Sequence, residues 1–202
     1  MSKGVLYVFS APSGCGKGTV LKELFGRNDN IYYSISATTR APREGEENGV
    51  SYYFVTKERF LELIESGGML EYAEFCGNYY GTPRKAIEDR LEQGCDVVLE
   101  IETAGAMKVK RACPEAVLIF MLPPSIEVLK HRLIGRGTDS EEVIKRRVSE
   151  AEREIHMSYK YDYVFVNDEL SKAVDDLENI MKSAKYLVSQ NKDLIKGVLE
   201  KC

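Results

Sequence analysis

Three glycines and a lysine fall within five residues of the stretch FSAPSGCGKGTV, residues 9–20. A turn needs one or two such residues; this spacing brings bare backbone close to a ligand. APSGCGKGT departs at two places from the phosphate-loop pattern G-x-x-x-x-G-K-[ST]. Ala11 replaces the first glycine, and Gly18 stands where a hydroxyl would ligate Mg2+, with Thr19 one place later. Gly14 and Gly16 can turn backbone N–H groups inward without a Cβ clash. Those amides and a following helix N-terminus favour anionic phosphate, and Lys17 can reach the bridging and terminal oxygens. Ala11, Pro12, Ser13, Gly14, Cys15, Gly16, Lys17, Gly18 and Thr19 are therefore read as a cradle for a nucleoside triphosphate. Direct metal ligation by the loop is not expected, because Gly18 has no hydroxyl; Mg2+ is expected on the nucleotide phosphates and water.

Other residues could serve a second, phosphorylated ligand. Arg40 and Arg43 bracket Pro42 in the polar stretch TTRAPREGEENG, a placement suited to fork-like phosphate recognition. Tyr52, Tyr79 and Tyr80 offer hydroxyls, though tyrosines on alternating strands are more often half-buried packing. Glu100 and Glu102 end the apolar run VVLEIE, and acids at the C-terminal end of a parallel strand fall near the ligand crevice. Arg132, Arg136, Arg146 and Arg147 crowd one charged segment; Arg136, between glycines in GRGT, reads as a cation on a hinge. Arg146 and Arg153 read as a solvated helix face. His131 and His156 have no metal-ligating company and read as structural. Cys15 reads as a small filler whose thiol, if exposed, could be modified and block the nucleotide.

The elements that must position these groups alternate. Strands are predicted over 4–10, 31–36, 50–55, 96–102, 116–122 and 163–166, with antiparallel strands across 70–81. Helices are predicted over 18–25, 57–66, 82–94, 125–137, 139–155 and 168–188. Thr82 is expected to cap the third helix, Pro83 to open it and Gly94 to stop it. Asp139 and Glu142 form a possible capping box. Residues 37–49 read as a loop and 189–202 as a polar tail. Strands alternating with helices give an α/β fold with a mostly parallel sheet, interrupted by an inserted strand-rich segment.

Bulk properties agree with a small-molecule ligand. The chain has 202 residues, 28 basic and 32 acidic, for a net charge of −4. A nucleic-acid binder would more often be basic. Five cysteines, an odd count without CxxC spacing, argue against a disulfide framework or zinc site and suit a reducing cytoplasm. The N-terminus lacks the apolar core of a signal peptide, and no apolar run approaches the ~20 residues of a membrane helix. A cytoplasmic location is expected, with neither nucleic acid nor membrane as partner. Oligomeric state is not legible.

SISATTRAPREGEENGVSYYFV, LEYAEFCGNYYGTP and GRGTDSEEVIKRRV, with the glycine-rich loop and VFVND, resemble guanylate kinase over roughly residues 4–185. The resemblance implies a P-loop nucleoside monophosphate kinase forming a single domain of three parts. These are a core (4–33, 84–126 and 157–188), a mixed β/α GMP-binding insertion (34–83) and a helical lid (127–156), followed by a tail (189–202). It implies MgATP and GMP or dGMP as substrates, ADP and GDP as products, and a place in purine nucleotide metabolism and GMP recycling. Arg40, Arg43, Tyr52 and Tyr80 are implied to hold the GMP phosphate; Ser36, Glu71 and Thr82 the guanine. Acids are implied near Mg2+ and GMP where this chain has Glu100 and Glu102, often Asp in the family; Glu100 is expected to bind GMP. Lys17, Arg40, Arg136 and Arg147 are implied on the transferring phosphates. The chemistry of Glu71 agrees: guanine presents N1–H and N2–H side by side, and a carboxylate accepts two donors and donates none. Ala104 departs from the glutamine expected before Gly105. Two rivals remain at this stage: a non-catalytic guanylate-kinase-like binding module, which should have a broken loop, and a kinase for a ribose bisphosphate, which needs no guanine reader.

Overall fold

The computed structural model describes residues 3–135, 137 and 139–200. The apolar run before the glycines forms β1, Leu6–Ser10, with all five residues buried. The helix after the loop, α1 (Lys17–Arg27), buries Val20, Leu21 and Leu24 on one face. Then come β2 (Ile31–Tyr33), β3 (Ala37–Thr38) and β4 (Tyr53–Phe54), all short. The strand predicted over 31–36 thus stops at Tyr33, and the one over 50–55 shrinks to two residues. Ala37 and Thr38, read as loop, pair as a strand; their polar, proline-rich sequel hid them.

Helix α2 (Lys57–Glu65) is capped by Thr56, whose Oγ1 accepts from Arg59 N–H at 3.2 Å. The predicted antiparallel pair is β5 (Met69–Phe75) and β6 (Asn78–Pro83), turned through Cys76 and Gly77 at φ 49° and 75°. Because β6 runs through Thr82, that residue is a strand residue and not the predicted cap; Pro83 precedes α3 (Arg84–Glu92). Next is β7 (Asp96–Glu100), then α4 (Thr103–Ala112), which the sequence did not announce. Its TAGAMKVKRA buries only Ala106 and Val109, too little for a clear helical period.

The second half follows its predicted order. Strand β8 (Val117–Leu122) leads to α5 (Ile126–Ile134), capped by Ser125, and α6 (Glu141–Met157), capped by Ser140. Asp139 is not part of a capping box; it pairs with Arg147. Strand β9 (Tyr163–Val166) and α7 (Leu170–Ala184) follow, and α8 (Lys192–Leu199) forms within the predicted polar tail.

A five-stranded sheet has the order β2-β7-β1-β8-β9, with β2 parallel to β7 and β8 parallel to β9. A four-stranded sheet has the order β4-β3-β6-β5. The chain divides into two compact units within β1. One takes the chain up to Val8 with Asn30–Ala116; the other takes Phe9–Asp29 and the chain from Val117 onward. In the first, Ala37, Phe60 and Met69 form a core under the smaller sheet, and buried Asp96 accepts from Val5 N–H at 3.0 Å. In the second, Ala173, Val174, Leu177, Met181 and Ala184 form the buried face of α7. Each large apolar side chain among them contributes roughly 1.5–3 kcal/mol of transfer free energy.

Candidate active site

In the second unit, the loop between β1 and α1 turns through Gly14 and Gly16 at φ 90° and 89°. A Cβ at Gly16 would stand 2.8 Å from Asn167 Nδ2, and one at Gly14 2.8 Å from Leu133 Cδ2. Both positions therefore need glycine for conformation and for space. Gly16 caps α1 with no side-chain hydrogen bond, and the first turn carries no acid. That leaves a helix N-terminus suited to an anion, with Lys17 as its first residue.

The loop is held from behind. Cys15 O accepts from Asn167 Nδ2 at 2.7 Å and from Arg132 Nη1 at 3.4 Å. Arg132 Nη2 also donates to Asn167 O at 3.1 Å. Neither residue was singled out from sequence as a support for the loop. The available signal was Asn167 directly after the last predicted strand, at the strand end where α/β ligand sites form. Cys15 Sγ is fully buried and donates to Met121 O at 3.7 Å. Burial pushes its thiol up to about 12, so the exposed, modifiable thiol considered above is not what the chain presents.

From α6, Arg147 donates to Ser13 Oγ at 2.9 Å and pairs with Asp139. An arginine of α6 thus reaches the glycine-rich loop itself. Arg136, predicted beside it, lies outside the described residues. Arg146 is on α6.

In the first unit, a cavity of about 470 Å³ gathers Ser36, Tyr52, Glu71, Tyr80 and Glu100. All five were singled out from sequence. Thr82 is fully buried next to them and donates from Oγ1 to Glu71 Oε1 at 2.8 Å. The pairing of Glu71 with Thr82 across β5 and β6 fixes this contact. Burial raises the Glu71 carboxyl above its ordinary range, opposed by the Thr82 hydrogen bond and by Lys108. Tyr33 donates to Glu100 Oε2 at 3.0 Å.

Arg40 and Arg43 do not line that cavity. Arg40 Nη2 bonds both Glu46 oxygens, at 2.8 and 2.9 Å, and its guanidinium stands 5.5 Å from the Tyr52 ring centroid. The Arg40 contact draws the Glu46 carboxyl down. Arg43 contributes its backbone N–H to Glu46 at 2.8 Å. Glu46 is therefore the organiser of this arginine loop, and sequence reasoning missed it among three neighbouring acids. Among the described residues, no three His, Cys, Asp or Glu side chains gather as a metal cage, and none of the helices is long and apolar enough to cross a membrane.

Comparison with known proteins gives a consistent picture. A family model for guanylate kinase matches residues 3–184. A guanylate kinase of Clostridioides difficile (strain 630) is 51% identical over 195 residues, covering 96% of this chain and 95% of that protein. One from Oceanobacillus iheyensis is 52% identical over 181 residues, covering 90% and 88%. The crystal structure of guanylate kinase from Anaplasma phagocytophilum superposes with a TM-score of 0.72 at 38% identity, covering 94% of this chain and 90% of that one.

Proposed function

This chain belongs to the guanylate kinase family, and on that premise we propose how its own residues carry the ATP-dependent phosphorylation of GMP. The observation that carries the reading is the Glu71 carboxylate, oriented by Thr82 in the cavity wall. It accepts N1–H and N2–H of guanine. Adenine would set its N1 lone pair against that carboxylate, and an unpaired buried polar group discriminates strongly. Ser36 assists at the base, while Tyr52, Tyr80, Arg40 and Arg43 hold the GMP phosphate, and Glu100 completes the site. For Arg40 this means exchanging Glu46 for the dianionic phosphate.

ATP lies with its phosphates on Ala11–Thr19, the amides of the α1 N-terminus and Lys17. Mg2+ would come with the nucleotide, and no residue of this chain is assigned to hold it directly. Gly18 offers no hydroxyl, Ser13 receives Arg147, and such an ion needs no carboxylate cage. When bound, such an ion would supply neutralisation of the phosphate charge. A GMP phosphate oxygen attacks the γ-phosphorus in line; the bond to the β-phosphate oxygen breaks, leaving ADP and GDP. The transition state is loose, with charge on the equatorial oxygens. Lys17, Arg40, Arg147 and Arg136 meet that charge. No base is required, because the attacking phosphate is already ionised. Closure of the segment 127–156 excludes water. The same site accepts dGMP, and the protein works in the cytoplasm in purine nucleotide recycling, without nucleic acid or membrane.

The test is ADP release with MgATP against GMP, AMP, CMP, UMP and IMP. Turnover with GMP far above the others, lost on chelating Mg2+, is expected. Equal or better turnover with another base would overturn the assignment of Glu71.

A further inference from the structure

Gly105 and Lys108 are three residues apart on α4 and share one face. At Gly105 that face meets the base reader: a Cβ there would come within 3.3 Å of Glu71 Oε2. One turn on, Lys108 Nζ donates to the carbonyl of Tyr72 at 2.5 Å and stands 5.5 Å from the Tyr72 ring centroid. Tyr72 follows Glu71 in β5, so the lysine fixes the backbone next to the reading carboxylate. Lys108 also lines the cavity, where Glu71, Glu74, Glu100 and Glu102 are its acids and Tyr52 and Tyr80 its phenols. Among the described lining residues it is the one cation.

The acids around Glu71 give that cation a task. Glu102 and burial both favour a protonated Glu71, whereas Thr82 and Lys108 favour the ionised form. A protonated carboxyl would present O–H to one of guanine's two donors. Thr82 can orient Glu71 but brings no charge. We propose that Lys108 is a positioning residue for Glu71, clamping α4 onto β5 and supporting the ionised carboxylate, so that guanine recognition depends on a side chain that does not touch the base. This rests on the reading of Glu71 as the guanine acceptor.

The experiment is the pH dependence of kcat/KM for GMP in the full chain, comparing wild type, K108M, K108R, E71Q and K108M/E71Q. Methionine keeps the length of the lysine stem without its charge. In K108M the acid limb moves to higher pH and KM for GMP on that limb rises by up to about tenfold, the upper scale of one charge felt through an effective dielectric near 20. On the plateau above that limb the difference shrinks, and kcat at saturating GMP stays within about twofold of wild type. K108R restores the profile. GMP's own phosphate titration, near pH 6, is common to all variants and cancels in the comparison. Adding K108M to E71Q moves the limb no further, because the group it acts on is gone. A K108M profile that superposes on wild type while E71Q raises KM overturns the role of Lys108 alone. An E71Q enzyme with wild-type KM for GMP overturns the Glu71 reading and this inference with it. A K108M shift that persists undiminished in the E71Q background shows that Lys108 acts elsewhere, and also overturns the proposal.

Discussion

On the proposed reading, the phosphate loop and the guanine cavity meet their ligands by opposite means. The loop uses backbone: glycines at positive φ, a helix N-terminus, and a support in Asn167 and Arg132 behind the Cys15 carbonyl. The cavity uses side chains: a partly desolvated carboxylate whose charge depends on Thr82, Lys108 and neighbouring acids. A phosphate is the same on every nucleotide, so a fixed set of amides suffices. A base must be told from other bases, which takes a group that a wrong partner leaves unpaired. The loop should therefore be insensitive to pH across the carboxylate range, and the cavity sensitive to it.

The largest effect is expected at the loop. Lys17→Ala should lower turnover by about 10²–10³-fold or more, the scale of one lost group at developing charge, with an unchanged circular dichroism spectrum. Near-normal turnover would break the phosphate assignment. Asn167→Ala removes the buried donor to Cys15 O at a cost of roughly 1–3 kcal/mol. KM for ATP should rise about tenfold or more and Tm should fall, while KM for GMP holds. A change confined to GMP would erase the division of labour.

The cavity should respond to pH where the loop does not. GMP needs the ionised Glu71, whose carboxyl is raised in the unliganded protein. Protons then compete with GMP as pH falls through that raised value, and KM for GMP climbs above the ordinary carboxylate range, whereas KM for ATP does not follow. The matching stability contribution has the opposite direction. A raised folded-state value favours the protonated form, so this contribution is complete below the unfolded value and is lost as pH rises through the folded one. The smallest effect belongs to Cys15. With its thiol pushed up to about 12 and buried, iodoacetamide at pH 8 should label exposed Cys76 and leave Cys15 bare by mass spectrometry.

The same contrast explains what could be read from the chain. The loop was legible because its determinants are local: a buried strand, glycines at set spacing, a lysine and a helix lie within residues 4–27. The principal strands and helices followed from hydrophobic runs and caps for the same reason. The cavity was legible mainly through resemblance to a family, because Glu71 finds Thr82 across a strand pair and Gly105 from a separate helix. Helix α4 escaped notice because two buried residues make no period. Thr82 read as a helix cap because its hydroxyl is a good one for either duty, and only the register of β5 and β6 decides between them. Glu46 and Arg132 drew no role of their own from the sequence, since their partners are set by loop conformation and, for Arg132, by a residue more than a hundred positions away.

The most direct test of the account is kcat/KM for GMP and for IMP, which lacks the N2 amine, in wild type and Glu71→Gln. The account predicts a strong wild-type preference for GMP and a loss of about 10–100-fold for GMP in the variant, from one acceptor turned donor, with the GMP–IMP gap closing and KM for ATP unchanged. A Glu71→Gln enzyme that keeps both the wild-type GMP value and the wild-type gap would contradict it.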